Sequence, residues 1–313
     1  MDIGKKFGEK KKKALIKIRH EVLRGARCWF NDHDYIEVHG PTLIPALGDW
    51  PNYFEVKYFK KKAYLSQGLQ PYANAFLEDY ERIYTVAPTF RAEKSKTKRH
   101  LTEFWRIEVA QRCDLETIME VQENLLTHIC HHLTQKAEEQ LNTIGRPIQD
   151  LAKVKTPFHK LTYDAAIDLL NEKGADISWG QQLRQKLEKE LSHRFDQPFF
   201  VKEFPVSIQT LFLEKHHERE EIALSADLFA PEGYGEIGSG GQITVDKKIL
   251  FKKLSEEEIE TKAQSWYAQL LANSLTPHSG FMIGIERLIQ WICKLADIRD
   301  ASLFPRSVDK IYP

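Results

Sequence analysis

The sequence predicts an α+β protein, an antiparallel sheet flanked by helices. Three observations carry this. Short runs rich in β-branched and aromatic residues gather in two stretches of the chain, amphipathic helical patterns lie outside them, and the strict βαβ alternation of a parallel sheet is missing.

Residues 10–32 place Ala14, Leu15, Ile18, Val22, Leu23, Ala26 and Phe30 at spacings of three and four, which predicts a helix with one apolar stripe. Its other face, Lys10 to Lys13 with Lys17 and Arg19, reads as a solvated basic face. Strands are expected at 35–38, 53–59, 63–66, 82–90 and 104–110, with one face buried. A long helix is expected over 115–141, then shorter helices at 164–171 and 181–191. Strand signals return at 199–204, 208–213, 222–229 and 241–245, and helices close the chain at 256–272 and 286–295.

Lysine plus arginine and aspartate plus glutamate both number 45 in the 313 residues, so no global field draws the molecule to a polyanion. Any anion site must be local. At roughly 150 residues per domain the length allows about two domains. Glycine and proline are thinly spread, however, and no linker or repeat is visible, so a single catalytic unit over 1–313 is expected. No apolar stretch approaches the ~18 residues that span a bilayer, and residues 1–20 hold no secretory signal; the expectation is a cytoplasmic protein without membrane partners. Cys28, Cys113, Cys130 and Cys293 form no C-x-x-C pair and read as small core residues. The doublets His131/His132 and His216/His217 read as solvated or capping histidines rather than metal ligands.

The chemistry concentrates in two segments. Phe90-Arg91-Ala92-Glu93, a basic loop, and Arg99-His100-Leu101-Thr102-Glu103-Phe104 make two strands whose arginines can hold a polyphosphate bidentately, while Glu93 can accept from an exocyclic amine. Gly280-Phe281-Met282-Ile283-Gly284-Ile285-Glu286-Arg287 is a glycine-spaced strand turning into a helix, where Gly284 lets a ligand approach the backbone and Arg287 offers a second cation.

Together these segments resemble motifs 2 and 3 of the class II aminoacyl-tRNA synthetases, in particular the aspartyl/asparaginyl branch. Segment 35–41, ending in Pro41, resembles motif 1; Ser66-Gln67-Gly68-Leu69-Gln70, Ile177 to Gly180, Ala226-Asp227-Leu228, Gly235 to Gln242, Ile298 to Asp300 and Phe304 to Arg306 match further, in order, from about residue 10 to 307. The resemblance implies a seven-stranded antiparallel sheet, a homodimer with Pro41 at its interface, and an AMP-forming ligase using ATP and Mg²⁺. It also implies roles. Arg91 would hold the α-phosphate and the substrate carboxylate, Glu93 the adenine amino group, and Arg99 with His100 the γ-phosphate. Phe104 and Arg287 would sandwich the adenine, Glu236 and Ser239 would hold Mg²⁺, and Asp227 would lie nearby. Gln67, Gln70, Asn74 and Gln242 fall on the amino-acid side.

Departures from the family matter as much. The first catalytic helix is expected to start near Lys10, so the expectation is a chain without an anticodon-binding barrel, for which tRNA is possible but not favoured. Where aspartyl enzymes place a side-chain-gripping lysine and arginine, this sequence has Ala73 and Ile243, and a buried carboxylate without such partners is costly. The asparaginyl branch shares that arginine and has a glutamate where Asn74 stands. The loop glutamate that meets the α-amino group matches Gly48, with Asp49 as its replacement and Trp50 and Pro51 following. The expectation is therefore an aminoacyl or acyl adenylate passed to a small amine, ammonia or a carrier. The alternatives are the asparagine synthetase reaction of anticodon-domain-less archaeal relatives, a truncated enzyme acting on tRNA, and a regulatory paralogue, the last disfavoured by the retained charged residues.

Overall fold

Helix α1 (Glu9–Asp32) forms where the apolar spacing predicts it, and its stripe of Leu15, Ile18, Val22, Ala26 and Phe30 is buried. The computed structural model describes residues 9–45, 52–209, 212–247, 269–270 and 275–312. After α1 come β1 (Ile36–Glu37), β2 (Leu43–Ile44), β3 (Glu55–Tyr58), β4 (Lys61–Leu65) and α2 (Gln70–Leu77). The long hairpin of β5 (Arg82–Phe90) and β6 (Glu103–Gln111) leads into α3 (Leu115–Lys136), α4 (Glu138–Ile144) and α5 (Ile148–Ala152). Then follow β7 (His159–Thr162), α6 (Tyr163–Asn171), α7 (Gln185–Ser192), β8 (Phe199–Lys202), β9 (Ser225–Ala230), β10 (Gly235–Ile243), β11 (His278–Gly284) and α8 (Ile285–Ile292).

Eight strands form one sheet in the order β1-β5-β6-β11-β10-β9-β8-β7, and β2-β4-β3 form a second. The large sheet is mixed rather than purely antiparallel, because its edge pairs β1/β5 and β7/β8 run parallel. It also has one strand more than the resemblance implied. β1 falls within the strand expected at 35–38, whereas β7 was not expected, since a strand of four residues is too short to show a period-2 signal.

Helices α1, α3 and α8 bury their stripes against one face of this sheet, where Ile18, Phe30, Leu125, Ile129, Ile289 and Trp291 meet Ile107, Val109, Phe281 and Ile283. Complete burial of each such side chain is worth about 1.5–3 kcal/mol. The opposite face carries two smaller clusters. One joins α2 to Val38, Ile83 and Ala110; the other joins α6 and α7 to Phe199, Val201 and Phe229.

Several expectations are corrected. The helix expected over 115–141 breaks at Ala137 (φ −135°), with Asp114 capping its start by accepting from the Thr117 N–H at 2.8 Å. No strand occupies 208–209 or 212–213: Val206–Ile208 is a 3₁₀ turn and Leu213 makes an isolated bridge to Ile243. The glycine-rich segment from Gly235 is strand. Cys28 is exposed, unlike the buried Cys130 and Cys293. Arg19 is not a solvated cation but pairs with buried Glu286 at 2.8 Å. His132 is not solvated but is bonded to Glu21, whereas His131 is exposed, as expected, with its ring against the Val154 carbonyl. Of the helix expected at 256–272, only 269–270 lie within the described residues, and these are helical.

Candidate active site

Strand alternation decides which side chains share a cavity. On β6 the residues Phe104, Arg106 and Glu108 point away from the face that Ile107 and Val109 bury under α1 and α3. On β10, Glu236 and Ser239 are three residues apart and would normally point to opposite faces. A register shift between Glu236 and Gly238 adds a residue to the strand and turns both toward the same side. Gly284 ends β11 and caps α8, which sets Arg287 one turn into the helix. A cavity of about 150 Å³ results, lined by Arg91, Glu93, Arg99, His100, Phe104, Arg106, Glu236, Ser239, Met282, Gly284 and Arg287.

An ionic network organises these groups. Arg287 Nη1 lies 2.7 Å from Glu236 Oε2, and the Glu236 carbonyl accepts from both Arg287 and Arg99. Arg99 also pairs with Glu188 of α7, whose carboxylate accepts from the Glu236 N–H at 3.2 Å. Arg91 stands 3.6 Å from Glu93 and 5.7 Å over the Phe104 ring. Enclosure by the cavity walls, then the nearby Arg106, lowers the Arg91 pKa; enclosure and Arg287 do the same for Arg99 and His100. Burial would raise the Glu236 pKa, but Arg287 and Arg99 pull it below the usual carboxylate range. Asp227 moves the other way, raised by burial and by the charges of Glu236 and Glu188.

That contrast bears on magnesium. Asp227 pairs with Ser239 across β9 and β10, and its carboxylate is held in the field of Glu236 without a cation of its own strong enough to offset it. Among the described residues no three acidic or imidazole side chains converge to hold an ion on protein ligands alone. The set fits Mg²⁺, which keeps several waters and takes one or two carboxylates together with substrate phosphates. Glu236 and Ser239, with Asp227 beside them, are the residues that would hold it.

The residues that the resemblance assigned to the amino acid lie on α2, in the loop before it, and at the ends of β10 and β11. Gln70 Nε2 lies 3.3 Å from His278 Nε2, Asn74 Oδ1 accepts from the Thr276 N–H at 3.4 Å, and Gln67 Nε2 donates to the Asn52 carbonyl at 3.3 Å. Ile243 pairs with His278 on the cavity face of the sheet. Ala73 is packed into the apolar cluster with Leu69, Leu77 and Ile83. Gln242, between Gly241 and Ile243, is turned to the opposite face by the same alternation, so the structure does not bring it to these residues. Asp49 lies outside the described residues, as do Gly48, Trp50 and Pro51.

Sequence reasoning missed Glu188, Arg106 with Glu108, and His278. Glu188 is 89 positions from Arg99, on a helix whose local pattern shows only amphipathicity. Arg106 and Glu108 did carry a signal, since both alternate with apolar residues on a central strand.

The chain matches the model of the tRNA synthetases class II (D, K and N) over residues 6–308. It is 39% identical over 302 residues to the asparagine–tRNA ligase of Desulforamulus reducens, covering 96% of this chain and 70% of that one. Identity to the enzyme of the same name from Pyrococcus furiosus is 38% over 305 residues, again covering 70% of the relative. The solved structure of asparaginyl-tRNA synthetase from Pyrococcus horikoshii, complexed with asparaginyl-adenylate, superposes with a TM-score of 0.93 at 37% identity, covering 97% of this chain and 70% of that one. The likeness to anticodon-domain-less asparagine synthetase relatives that the sequence suggested is not shown by these relatives, which are named as tRNA ligases and synthetases. Among the described residues no helix is long and apolar enough to cross a membrane. With motif, sheet and cavity in agreement along nearly its whole length, the chain belongs to the class II tRNA synthetases of the D, K and N group and is a ligase that forms an aminoacyl adenylate.

Proposed function

We propose that the chain activates an α-amino acid with an uncharged side chain, using ATP and magnesium, and hands the aminoacyl group to an acceptor. The observation behind this is the gathering of Arg91, Glu93, Arg99, Phe104, Glu236 and Arg287 around one cavity. A carboxylate oxygen of the acid attacks the α-phosphorus, the α–β phosphoanhydride bond breaks, and pyrophosphate leaves with its electron pair. No protein nucleophile is required. Arg91 neutralises charge growing at the α-phosphate, Phe104 and Arg287 hold the base, Glu93 reads its amino group, and Arg99 with His100 fixes the far phosphates, so catalysis is positioning plus charge stabilisation. Magnesium, when bound at Glu236 and Ser239, supplies further neutralisation of the phosphates.

Ala73 and Ile243 argue for an uncharged side chain, because neither can pair with a buried carboxylate. Asparagine has the added support of the adenylate in the Pyrococcus horikoshii complex. The acceptor with a specific observation behind it is tRNA, the substrate in the names of the relatives. The second reading is a small amine, ammonia or a carrier, favoured by the altered amino-acid side. Exposed Ile36, Pro41 and Leu43 next to the sheet edge support a homodimer, which light scattering would test.

ATP–pyrophosphate exchange across the amino acids tests activation, and silence with all of them overturns the reading. Labelled amino acid transferred to total tRNA supports the first acceptor; transfer to ammonia or hydroxylamine with unlabelled tRNA supports the second.

A further inference from the structure

Arg106 is 2% exposed, yet it lines the cavity with Met282. Its Nε donates to Glu108 Oε1 at 2.8 Å and its Nη2 donates to the Gln67 carbonyl. Among the described residues the remaining Nη1 has only Met282 Sδ, at 2.8 Å, and a thioether is a weak acceptor. A buried guanidinium nitrogen in that position gains from any oxygen that reaches it. Glu108 is held in turn, its Oε2 accepting from the Leu69 N–H at 2.9 Å. The pair is thus fixed to the loop that leads into α2, and Gly68 in that loop leaves the space the guanidinium occupies, since a Cβ there would collide with it.

We propose that Arg106, neutralised by Glu108, is the specificity-determining residue for the side chain of the activated acid, and that it selects a neutral carbonyl such as a carboxamide. The inference rests on the adenylate-forming reading above and deepens it. Arg91 stands at the nucleotide end beside Glu93 and Phe104, whereas Arg106 is bonded to the Gln67–Leu69 loop on the α2 side, so the two arginines serve different ends of the acid. A side-chain carboxylate would meet Arg106 already paired with Glu108, with no lysine at 73 or arginine at 243 to help. A hydrocarbon tail would leave Nη1 facing sulfur. A neutral carbonyl oxygen satisfies Nη1 and adds no charge beside Glu108.

The test is ATP–pyrophosphate exchange by the full chain with asparagine, aspartate and the near-isosteric leucine. Asparagine should be the best of the three. Arg106→Met should lower kcat/KM for asparagine by about 10- to 100-fold, mainly through KM, leave the KM for ATP within about 3-fold, and shrink the asparagine-to-leucine ratio. Glu108→Gln, which keeps an acceptor for Leu69, should raise the use of aspartate relative to asparagine. If the Met variant does not fold, Arg106→Lys and Glu108→Gln carry the same comparison, the lysine keeping part of the preference. Equal loss for all acids through kcat would place Arg106 at the reacting carboxylate and overturn the assignment, as would unchanged ratios or a best acid with a charged or hydrocarbon tail. Activity indifferent to Arg106 sinks this inference alone; silence of the unaltered protein with every amino acid sinks the adenylate reading and this with it.

Discussion

At Arg91 the lowered pKa marks a guanidinium crowded by Arg106 and Arg287 inside the cavity walls, a local excess of positive charge that a phosphate would relieve. Charge of that kind acts mostly on the transition state, where the α-phosphate gains negative charge. Arg91→Ala is therefore expected to cut ATP–pyrophosphate exchange by about 100-fold or more, with the melting temperature little changed because the side chain is 38% exposed. Exchange assays beside thermal melts check both halves. Ala73 and Ile243 differ in what they permit. A lysine at the buried Ala73 would have to enter an apolar cluster, whereas the half-buried Ile243 can take an arginine. Ile243→Arg should raise the use of aspartate relative to asparagine, measured by exchange with the two acids.

Among the elements, β10 concentrates the most constraint. A Cβ at Gly240 would lie 2.5 Å from the Gly280 carbonyl oxygen and 2.7 Å from Phe281 Cβ, so this glycine is demanded by the close approach of β11. Gly240→Ala is expected to cost about 1–3 kcal/mol, read from denaturant unfolding. Helices α1 and α3 are joined by buried Glu21, which accepts from His132 and pairs with Lys17 at 2.8 Å. Burial alone would raise its pKa; the hydrogen bonds from Lys17 and His132 win and hold it down at about 2. A carboxylate depressed in the folded state contributes stability above its ordinary pKa of 4.5, and that contribution drains away as the pH falls from 4.5 toward about 2. Glu21→Gln should therefore melt below the unaltered protein at pH 7, with the gap closing as the pH drops from 4.5 to 3. A gap that is the same at both pH values would refute this.

For the whole molecule, a ligand that binds only the folded state adds RT ln(1 + [L]/Kd), about 2.7 kcal/mol at a hundred times Kd. ATP with magnesium should raise the melting temperature, and Arg287→Ala should remove most of that rise, as scanning fluorimetry can show. Much of this organisation was legible in the sequence. The spacing of Leu15, Ile18, Val22 and Phe30 foretold α1, and the pairing of Phe90–Glu93 with Arg99–Phe104 foretold the hairpin that bears the cations, because local periodicity and side-chain chemistry need only neighbours along the chain. What needed three dimensions was different in kind. The bulge after Glu236 that turns it and Ser239 to one side, the reach of Glu188 across from α7 to Arg99, and the locking of Arg106 between Glu108 and the Gln67 carbonyl all depend on registers between distant strands and helices. Residue types and their order settled which cations and carboxylates the protein owns. Which of them face each other was settled by strand pairing, since a shift of one residue in an extended chain sends a side chain to the other face of the sheet.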